Sequence, residues 1–385
     1  ETLELVAPAG EVGARAERSL LRWCGVLGIP LGRVDPHRGE ARNPRVVVGT
    51  FDDPLIASLL EPTGVVLGDG ESFSWVDREF KGEGLALVAT FEDPERRGLP
   101  LTVLCGSTLS ALDSLSLDLR PVARPGARVF RGGRLTLSLE LGAQGAPNEE
   151  SIIDFGERWG ELEERLIPVE SGDDRLSLAR VEALSEASAR AWSARALATM
   201  ARVEAWAGPA AQRLHVSLTS ELMDIQRMHG VCAFGVSEHG RGAVIAALDP
   251  ALPEEGRRAV AEARLVQTVG FPVTEAGWML EAASVDAVDS WWGRPLEGWW
   301  SYLATQGLMP SPDLIITPGA LVQRSSHIRT PARAAFFRYM RETLGAEALL
   351  RVWRGDEAYA PDEADLLDFM KTKKASQYAE EEWFR

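Results

Sequence analysis

The chain has few of the residues that most often build metal and redox sites. Its 385 residues include three cysteines and five histidines, and only four of its 41 basic residues are lysine. The cysteines, Cys24, Cys105 and Cys232, are far apart, lie among apolar neighbours and form no CxxC pair. This pattern predicts buried free thiols rather than a disulfide framework, and it excludes the commonest cysteine-rich zinc sites.

Charge and hydropathy exclude two further classes of partner. The formal net charge of -16 and the pI near 4.9 repel phosphate backbones, and no basic cluster with interleaved aromatics offsets them, so we expect no nucleic-acid partner. No window approaches the roughly 20 apolar residues of a membrane-spanning helix. The sequence begins at Glu1, which fits a cleaved signal peptide or a trimmed sequence. The compartment stays open, with an extracytoplasmic location favoured.

Several catalytic motifs are missing. There is no GxxxxGK[ST] or GxGxxG, so a nucleotide site is unsupported. The nearest approach to GxSxG runs from Gly235 to His239 and has histidine where the second glycine belongs. The histidines show no pair at i, i+3 or i+4, and we expect them to be structural or exposed; they are His37, His215, His229, His239 and His327.

The first 143 residues alternate between helical and strand patterns. We predict helices over 10–27 and 107–117. The predicted strands are 45–50, 85–89, 101–106 and 134–141. The segment Gly142-Ala143-Gln144-Gly145-Ala146-Pro147 breaks all periodicity, and it marks the predicted domain boundary.

This N-terminal order resembles a small α/β domain that precedes the catalytic domain in several glycoside hydrolase families. The resemblance rests on VVVGT, GDGESFSW, LALVATFEDP and LPLTVLCGSTLSALDSL, and it covers about the first 120 residues. In those families the domain is an accessory, so the resemblance places no catalytic residue here. A generic α/β module explains the pattern equally well.

The rest of the chain is mostly helical with a small sheet. Residues 149–207 read as helix, 213–219, 230–237 and 242–248 as strands, and nearly everything after Asp249-Pro250 as helix. The predicted fold is therefore α+β. Its predicted parts are an accessory-like α/β domain (1–146), a helical segment with a small sheet (147–252), and a helical part (253–385).

One helix has clear start and stop signals. Pro253, Glu254 and Glu255 mark its first turn and Gly270 its end, about 16 residues on. This helix, the small sheet before it, a Gly-Phe-Pro turn and Trp278-Met279-Leu280-Glu281-Ala282 resemble the gluzincin (peptidase-MA-like) metallopeptidases. In that group the first helix bears HExxH and the second supplies a glutamate ligand. The run 332–350, with Gly345, resembles a helix-glycine-helix pattern common after the active site.

The metal motif itself is degenerate. HExxH needs residues i and i+4 on one helix face so that two imidazoles meet one zinc. Aligned on Val269-Gly270, its histidine and glutamate positions hold Ala263, Arg264 and Gln267, with Glu281 as the counterpart of the second-helix glutamate. A shifted register makes Glu262 the base but puts Ala261 and Leu265 at the ligand positions. Neither register predicts a zinc site or another cofactor.

A possible ion pair and a tryptophan-rich segment lead to two hypotheses about a cleft. An Arg264–Glu281 ion pair would fill the vacated metal position. Five tryptophans fall within 23 residues, and they either pack in the core or line a groove for sugar rings or apolar side chains. The possible groove residues are Trp278, Trp291, Trp292, Trp299, Trp300 and Tyr302, with Asp286, Asp289 and Glu297 nearby.

The function expected from these patterns is binding by a catalytically inactive peptidase-like protein. Its retained cleft would hold a protein, peptide or glycan without cutting it. One alternative is a zinc-independent hydrolase acting on sugars through two carboxyl groups. Its candidate carboxylates are Asp249, Glu262, Glu275 and Glu281. Another alternative is a purely structural or assembly component, with buried tryptophans and a filled pocket.

Overall fold

The computed structural model describes residues 3–7, 31–33, 43–108, 111–112, 125–229, 233–248, 255–273, 276–317, 320–321, 324–359 and 363–372. The predicted helix over 10–27 lies outside these residues, as do Cys24 and Cys232, and only 107–108 and 111–112 of the predicted helix over 107–117 are described. The described part of the chain has the predicted α+β fold.

A mixed eight-stranded sheet forms the N-terminal part. The strands up to residue 154 are β1 (Leu3–Val6), β2 (Leu31–Arg33), β3 (Arg45–Thr50), β4 (Val66–Leu67), β5 (Ser72–Trp75), β6 (Arg78–Lys81), β7 (Leu85–Glu92), β8 (Pro100–Gly106), β9 (Gly126–Arg131), β10 (Arg134–Glu140) and β11 (Ile153–Asp154). The large sheet has the order β11-β10-β9-β7-β8-β3-β1-β2, and β4-β5-β6 form a separate small sheet. Helix α1 (Pro54–Leu60) follows β3.

The large sheet is buried on both faces. Along β3, Val46 and Val48 belong to one core cluster and Val47 to another, because successive side chains of a strand point to opposite faces. This explains why β3 reads as a continuous apolar run rather than an alternating one. The strands predicted over 45–50, 85–89, 101–106 and 134–141 are confirmed as β3, β7, β8 and β10.

A second sheet of five strands lies in the middle of the chain. Its elements are α2 (Phe155–Glu164), β12 (Leu166–Val169), β13 (Leu176–Val181), α3 (Glu186–Ala207), β14 (Leu214–Thr219), α4 (Leu222–His229), β15 (Gly235–Glu238) and β16 (Ala243–Ala247). The order is β12-β13-β14-β16-β15, with β13, β14 and β16 parallel and the two edge strands antiparallel. The edge strand β15 packs against the next helix of the chain.

Helices make up most of the C-terminal part. They and one short hairpin are α5 (Glu255–Val269), α6 (Trp278–Val288), β17 (Ser290–Trp291), β18 (Arg294–Pro295), α7 (Leu296–Thr305), α8 (Pro312–Ile316), α9 (Ser326–Arg354) and α10 (Glu363–Thr372). The predicted helix-glycine-helix pattern is confirmed, since Gly345 interrupts α9 with φ 78° and ψ 172°. Among the described helices, none has the length and apolar character required to cross a bilayer.

Two predictions about the middle of the chain need correction. The helical reading of 149–207 is wrong for 166–169 and 176–181, which form β12 and β13. These strands are short, so the good helix propensity of the surrounding residues hides them. Of the strand predicted over 230–237, residues 230–232 lie outside the described residues, 233–234 are not strand, and 235–238 form β15. The first sheet also takes β11 from beyond the predicted boundary at 142–147.

The two sheets are joined by one core and by a buried ionic cluster. Val46 and Val88 of the first sheet share a cluster with Trp159 of α2 and Trp192 of α3. Beside this core Arg134 of β10 donates to Glu238 of β15 through Nε at 3.0 Å and Nη2 at 3.1 Å. Its guanidinium carbon also lies 3.6 Å from the centre of the Trp159 ring. The edge strand β15 is therefore held to the first sheet.

His229 is buried beside this cluster and makes stability depend on pH. Its Nε2 lies 3.7 Å from Glu238, and burial lowers its pKa from the usual 6.5 to about 4. As the pH falls below 6.5 the unfolded chain takes up this proton before the folded chain does. The contribution of neutral His229 to the free energy of unfolding is complete above pH 6.5 and lost by pH 4. At 1.36 kcal/mol per pKa unit it amounts to about 3 kcal/mol.

We expect His229→Gln to flatten the fall in unfolding free energy between pH 6.5 and 4, measured by urea denaturation at several pH values. The exposed His215 of β14 supplies the matched control, because His215→Gln should leave the slope as in the wild type. An unchanged slope in His229→Gln would contradict this assignment.

Candidate functional site

The candidate site lies where α5, α6, α9 and the edge strand β15 meet. Helix α5 ends as its sequence predicts, at Gly270, whose φ is +74° and whose N–H donates to the carbonyl of Val266 at 3.0 Å. Glycine adopts this left-handed conformation without steric cost. The residues predicted for the first turn, Pro253 and Glu254, lie outside the described residues.

One face of α5 turns Arg258 and Glu262 toward Glu281 of α6. These two residues are spaced i and i+4, and Arg258 Nε lies 3.8 Å from Glu262 Oε1. The positive charge of Arg258 lowers the pKa of both carboxyl groups, and the negative charge of Glu281 raises the pKa of Glu262. Their side chains are 32%, 26% and 28% exposed for Arg258, Glu262 and Glu281, so a ligand can reach all three.

Glu281 is held as a carboxylate by α9. The Thr330 hydroxyl donates to its Oε1 at 2.7 Å, and Arg333 Nη1 donates to its Oε2 at 3.0 Å. Burial alone would raise the pKa of Glu281, but Arg333 and the Thr330 hydrogen bond outweigh burial and lower it. This group therefore stays ionised.

Glu262 has the opposite environment. Burial raises its pKa, the nearby Glu281 raises it further, and Arg258 and the hydroxyls of Ser284 and Ser237 only partly offset this. The pKa of Glu262 is therefore raised and that of Glu281 lowered, so Glu262 takes up a proton more easily than Glu281 does. Ser237 comes from β15 and Ser284 from α6, so three elements converge on Glu262.

Ser237 also contacts His239. These two residues belong to the near match to GxSxG that runs from Gly235 to His239. The Ser237 Oγ and His239 Nε2 are 2.7 Å apart, and burial lowers the pKa of His239 to about 3. Its Nδ1 is buried and has no hydrogen-bond partner among the described residues. A catalytic base needs its second nitrogen oriented by an acid, and this histidine lacks one. Among the described residues the pair therefore lacks the third member of a catalytic triad.

The predicted Arg264–Glu281 ion pair is corrected by the structure. Arg264 is fully buried on another face of α5, where its Nε donates to Glu204 of α3 at 2.6 Å and its Nη1 to the carbonyl of Gln212 at 2.8 Å. Glu281 pairs instead with Arg333. Of the other predicted motif positions, Ala263 lies in the core and Gln267 beside Arg264. The positions that face Glu281 are 258 and 262.

These residues do not fit a zinc ion. Zinc sites use neutral imidazole, thiolate or carboxylate ligands, whereas position 258 holds a guanidinium that repels a cation. The residue after it, Ala259, is 3% exposed and packs so closely on Gly235 of β15 that a Cβ added at Gly235 would lie 3.0 Å from the Cβ of Ala259. Among the described residues, no group of three or more His, Cys, Asp or Glu is arranged to hold a metal ion.

The tryptophans predicted as a groove divide into two groups. Trp278, Trp291 and Trp300 are 8%, 5% and 0% exposed and belong to the core, so the groove prediction is corrected for them. Trp278 lines an apolar cavity of about 270 Å³ with Met279 and Met340. Trp299 and Tyr302 are half-buried, and Trp292 is 43% exposed.

Four partly exposed rings form what we call the aromatic shelf: Phe234, Trp292, Trp299 and His327. Trp292 meets Phe234 edge to face at 6.2 Å and His327 at 5.5 Å, and His327 stacks on Trp299 at 5.5 Å. We call Arg258, Glu262 and Glu281 the polar cluster. It adjoins the shelf through Arg258, whose guanidinium carbon lies 5.4 Å from the ring centre of Trp291, the neighbour of Trp292. The site thus combines aromatic surface with ionised groups.

The other predicted polar partners have different roles. Asp286 and Asp289 both accept from Arg338 of α9, and Asp286 is 5% exposed, so these carboxylates fix α6 to α9. Asp249 and Glu275 lie outside the described residues, and Glu297 is half-buried in the first turn of α7. Of the four candidate carboxylates, the structure brings together Glu262 and Glu281.

Sequence reasoning missed several residues of this site. They are Phe234, Ser237, Arg258, Ser284, His327, Arg329, Thr330 and Arg333. The spacing of Arg258 and Glu262, i and i+4 as in HExxH, was the signal that could have found two of the site positions. Comparison of the chain with protein-family models and with curated proteins finds no match.

Proposed function

We propose that this protein is a catalytically inactive, peptidase-like binding protein whose ligand sits over the Arg258–Glu262–Glu281 cluster. One observation carries the proposal. Two positions one helical turn apart on α5 face a glutamate of α6, as the ligands of a gluzincin do, yet one of them holds arginine. This arginine offsets the charge of Glu262, and Arg333 offsets that of Glu281, so neither carboxylate needs a metal.

Two features favour binding over zinc-dependent cleavage. The position after Arg258 holds the buried Ala259 where a gluzincin has its general base, so no group there can polarise a water molecule. The cluster is partly open and adjoins the aromatic shelf, which gives a ligand both apolar contact and hydrogen-bonding partners.

The test compares binding to arrays of short peptides and of oligosaccharides. We expect a ligand whose affinity falls at least about tenfold in the Arg258→Ala, Glu262→Ala double variant, which removes both partners and leaves no unpaired charge. The exposed i, i+4 pair Glu186–Arg190 on α3 gives a matched control, whose double alanine variant should bind as the wild type does. Ligands that bind both variants equally, or no ligand from either array, would contradict the proposal.

A second candidate function is a metal-free hydrolase, favoured by the opposite pKa shifts of Glu262 and Glu281. Neighbouring carboxyl groups with pKa values shifted apart are suited to general acid and base roles, here Glu262 as the acid and Glu281 as the base or nucleophile. Release of p-nitrophenol from aryl glycosides between pH 4 and 7 measures this. It supports the hydrolase only if Glu262→Gln and Glu281→Gln each remove the activity.

A further inference from the structure

The hairpin that carries Trp292 has an unusual sequence for its geometry. Ser290 pairs with Pro295 and Trp291 with Arg294, which leaves Trp292 and Gly293 as a two-residue turn. Both have positive φ, 51° and 72°, the conformation of a type I′ turn. This turn strongly prefers Asn-Gly, and a bulky residue with positive φ is a rare and strained choice.

Packing of the indole explains a tryptophan at this position only in part. Burying the indole would offset the backbone strain, but Trp292 is 43% exposed and is the only tryptophan among those in the described residues with large exposed apolar surface. Strained residues that persist with exposed side chains are concentrated at binding sites. The hairpin therefore holds the indole, together with the rest of the aromatic shelf, where a ligand could contact it.

The other end of the polar cluster has an excess of positive charge. Arg329 and Arg333 are spaced i and i+4 on α9, and both act on Glu281. Arg333 has Glu281 as its partner, whereas the side chain of Arg329 makes no ion pair or hydrogen bond among the described residues, and its Nε is buried. Three guanidinium groups, those of Arg258, Arg329 and Arg333, act on Glu281, and Glu262 is the second carboxylate beside them, so these described residues carry one more positive than negative charge.

We infer that the cleft binds the C-terminal end of a peptide, with its terminal carboxylate on Arg329 and an apolar or aromatic side chain on the aromatic shelf. This inference rests on the proposed binding function and names its ligand class. A single terminal carboxylate suits the guanidinium of Arg329, which has no ion-pair partner within the described part of the chain, whereas a polyanion would be repelled by the net charge of -16. Strand β15, which begins next to Phe234, lies at the edge of its sheet, the position at which an extended peptide can pair with main-chain groups as an added strand.

The experiment measures fluorescence anisotropy with fluorescein-labelled peptides that end in Phe or Gly, each as the free acid and as the C-terminal amide. We expect the free-acid Phe peptide to bind at least about tenfold more tightly than its amide and than the Gly peptide. Arg329→Gln should weaken the free-acid peptide by about tenfold or more and leave the amide unchanged. The exposed Arg190 provides the control as Arg190→Gln.

Trp292→Asn separates a binding role from a structural one. It should weaken the Phe peptide by about tenfold while leaving the melting temperature unchanged or higher, because Asn-Gly is the preferred turn. Leu314→Ala, at another exposed apolar residue, should change neither binding nor melting temperature. A lower melting temperature in Trp292→Asn, or equal binding of free-acid and amide peptides, overturns the inference.

The remaining outcomes distinguish this inference from the proposed function. Oligosaccharide binding that depends on Arg258 and Glu262, without peptide binding, overturns the peptide inference and leaves the binding function standing. Binding of neither peptides nor oligosaccharides overturns both.

Discussion

Replacing Arg258 and Glu262 together by histidine is expected to give the protein a zinc site with a dissociation constant below about 1 μM. The two imidazoles would lie one turn apart on the face of α5 that points to Glu281, which supplies the third ligand. The substitution removes both members of one ion pair, so it leaves no uncompensated charge, and Glu281 keeps its bond to Arg333. Zinc binding is measured by calorimetry and by a zinc-dependent rise in melting temperature.

The matched control adds Glu281→Gln to the same double variant. Loss of the carboxylate ligand should weaken zinc binding at least about tenfold without further change in the metal-free melting temperature. If the double variant folds and zinc does not raise its melting temperature, positions 258, 262 and 281 are not arranged as a metal-ligand set. The peptidase-like interpretation of this site would then fail, whatever ligands the cleft binds.

The position of α5 was predictable from sequence, but its functional face was not. The predicted helix of about 16 residues is observed over Glu255–Val269, because Gly270 is a strong C-terminal signal. Anchoring the motif on that end placed it at Ala263 and Gln267, five residues from Arg258 and Glu262. A shift of five residues turns the predicted face of a helix by about 140°, so this error in register placed the motif on residues that face the core instead of the site. Only packing against α6 and α3 fixes which face is which.

Elements with weak local signals were missed for a related reason. Strand β12 has four residues and includes Pro168, and its place in the sheet depends on pairing with β13. The β17–β18 hairpin carries tryptophan where turn chemistry predicts asparagine, so sequence patterns point away from a turn there. By contrast, β3, β7 and β8 were predicted because buried strands need continuous apolar runs, a signal that lies entirely within each segment.

The pairing of Arg134 with Glu238 leads to the largest expected effect on stability. Arg134→Ala should lower the free energy of unfolding by about 3 kcal/mol, because it leaves the Glu238 side chain, 2% exposed, without its bidentate partner. The loss of the ring contact with Trp159 adds to this cost, while Arg241, 3.6 Å from Glu238, compensates only in part. We expect the melting temperature to fall by about 4 °C.

The comparison variants show whether the cost comes from an unpaired buried charge. Glu163 is also bound by Arg134 but is 53% exposed, so Glu163→Ala should cost less than about 1 kcal/mol. Adding Glu238→Gln to Arg134→Ala removes the orphaned charge and should recover at least half of the lost stability. If the double variant is no more stable than Arg134→Ala, the cost comes from lost packing on Trp159 rather than from an unpaired charge on Glu238. Because Ser237 precedes Glu238 on β15, that attachment also sets the position of one wall of the proposed cleft.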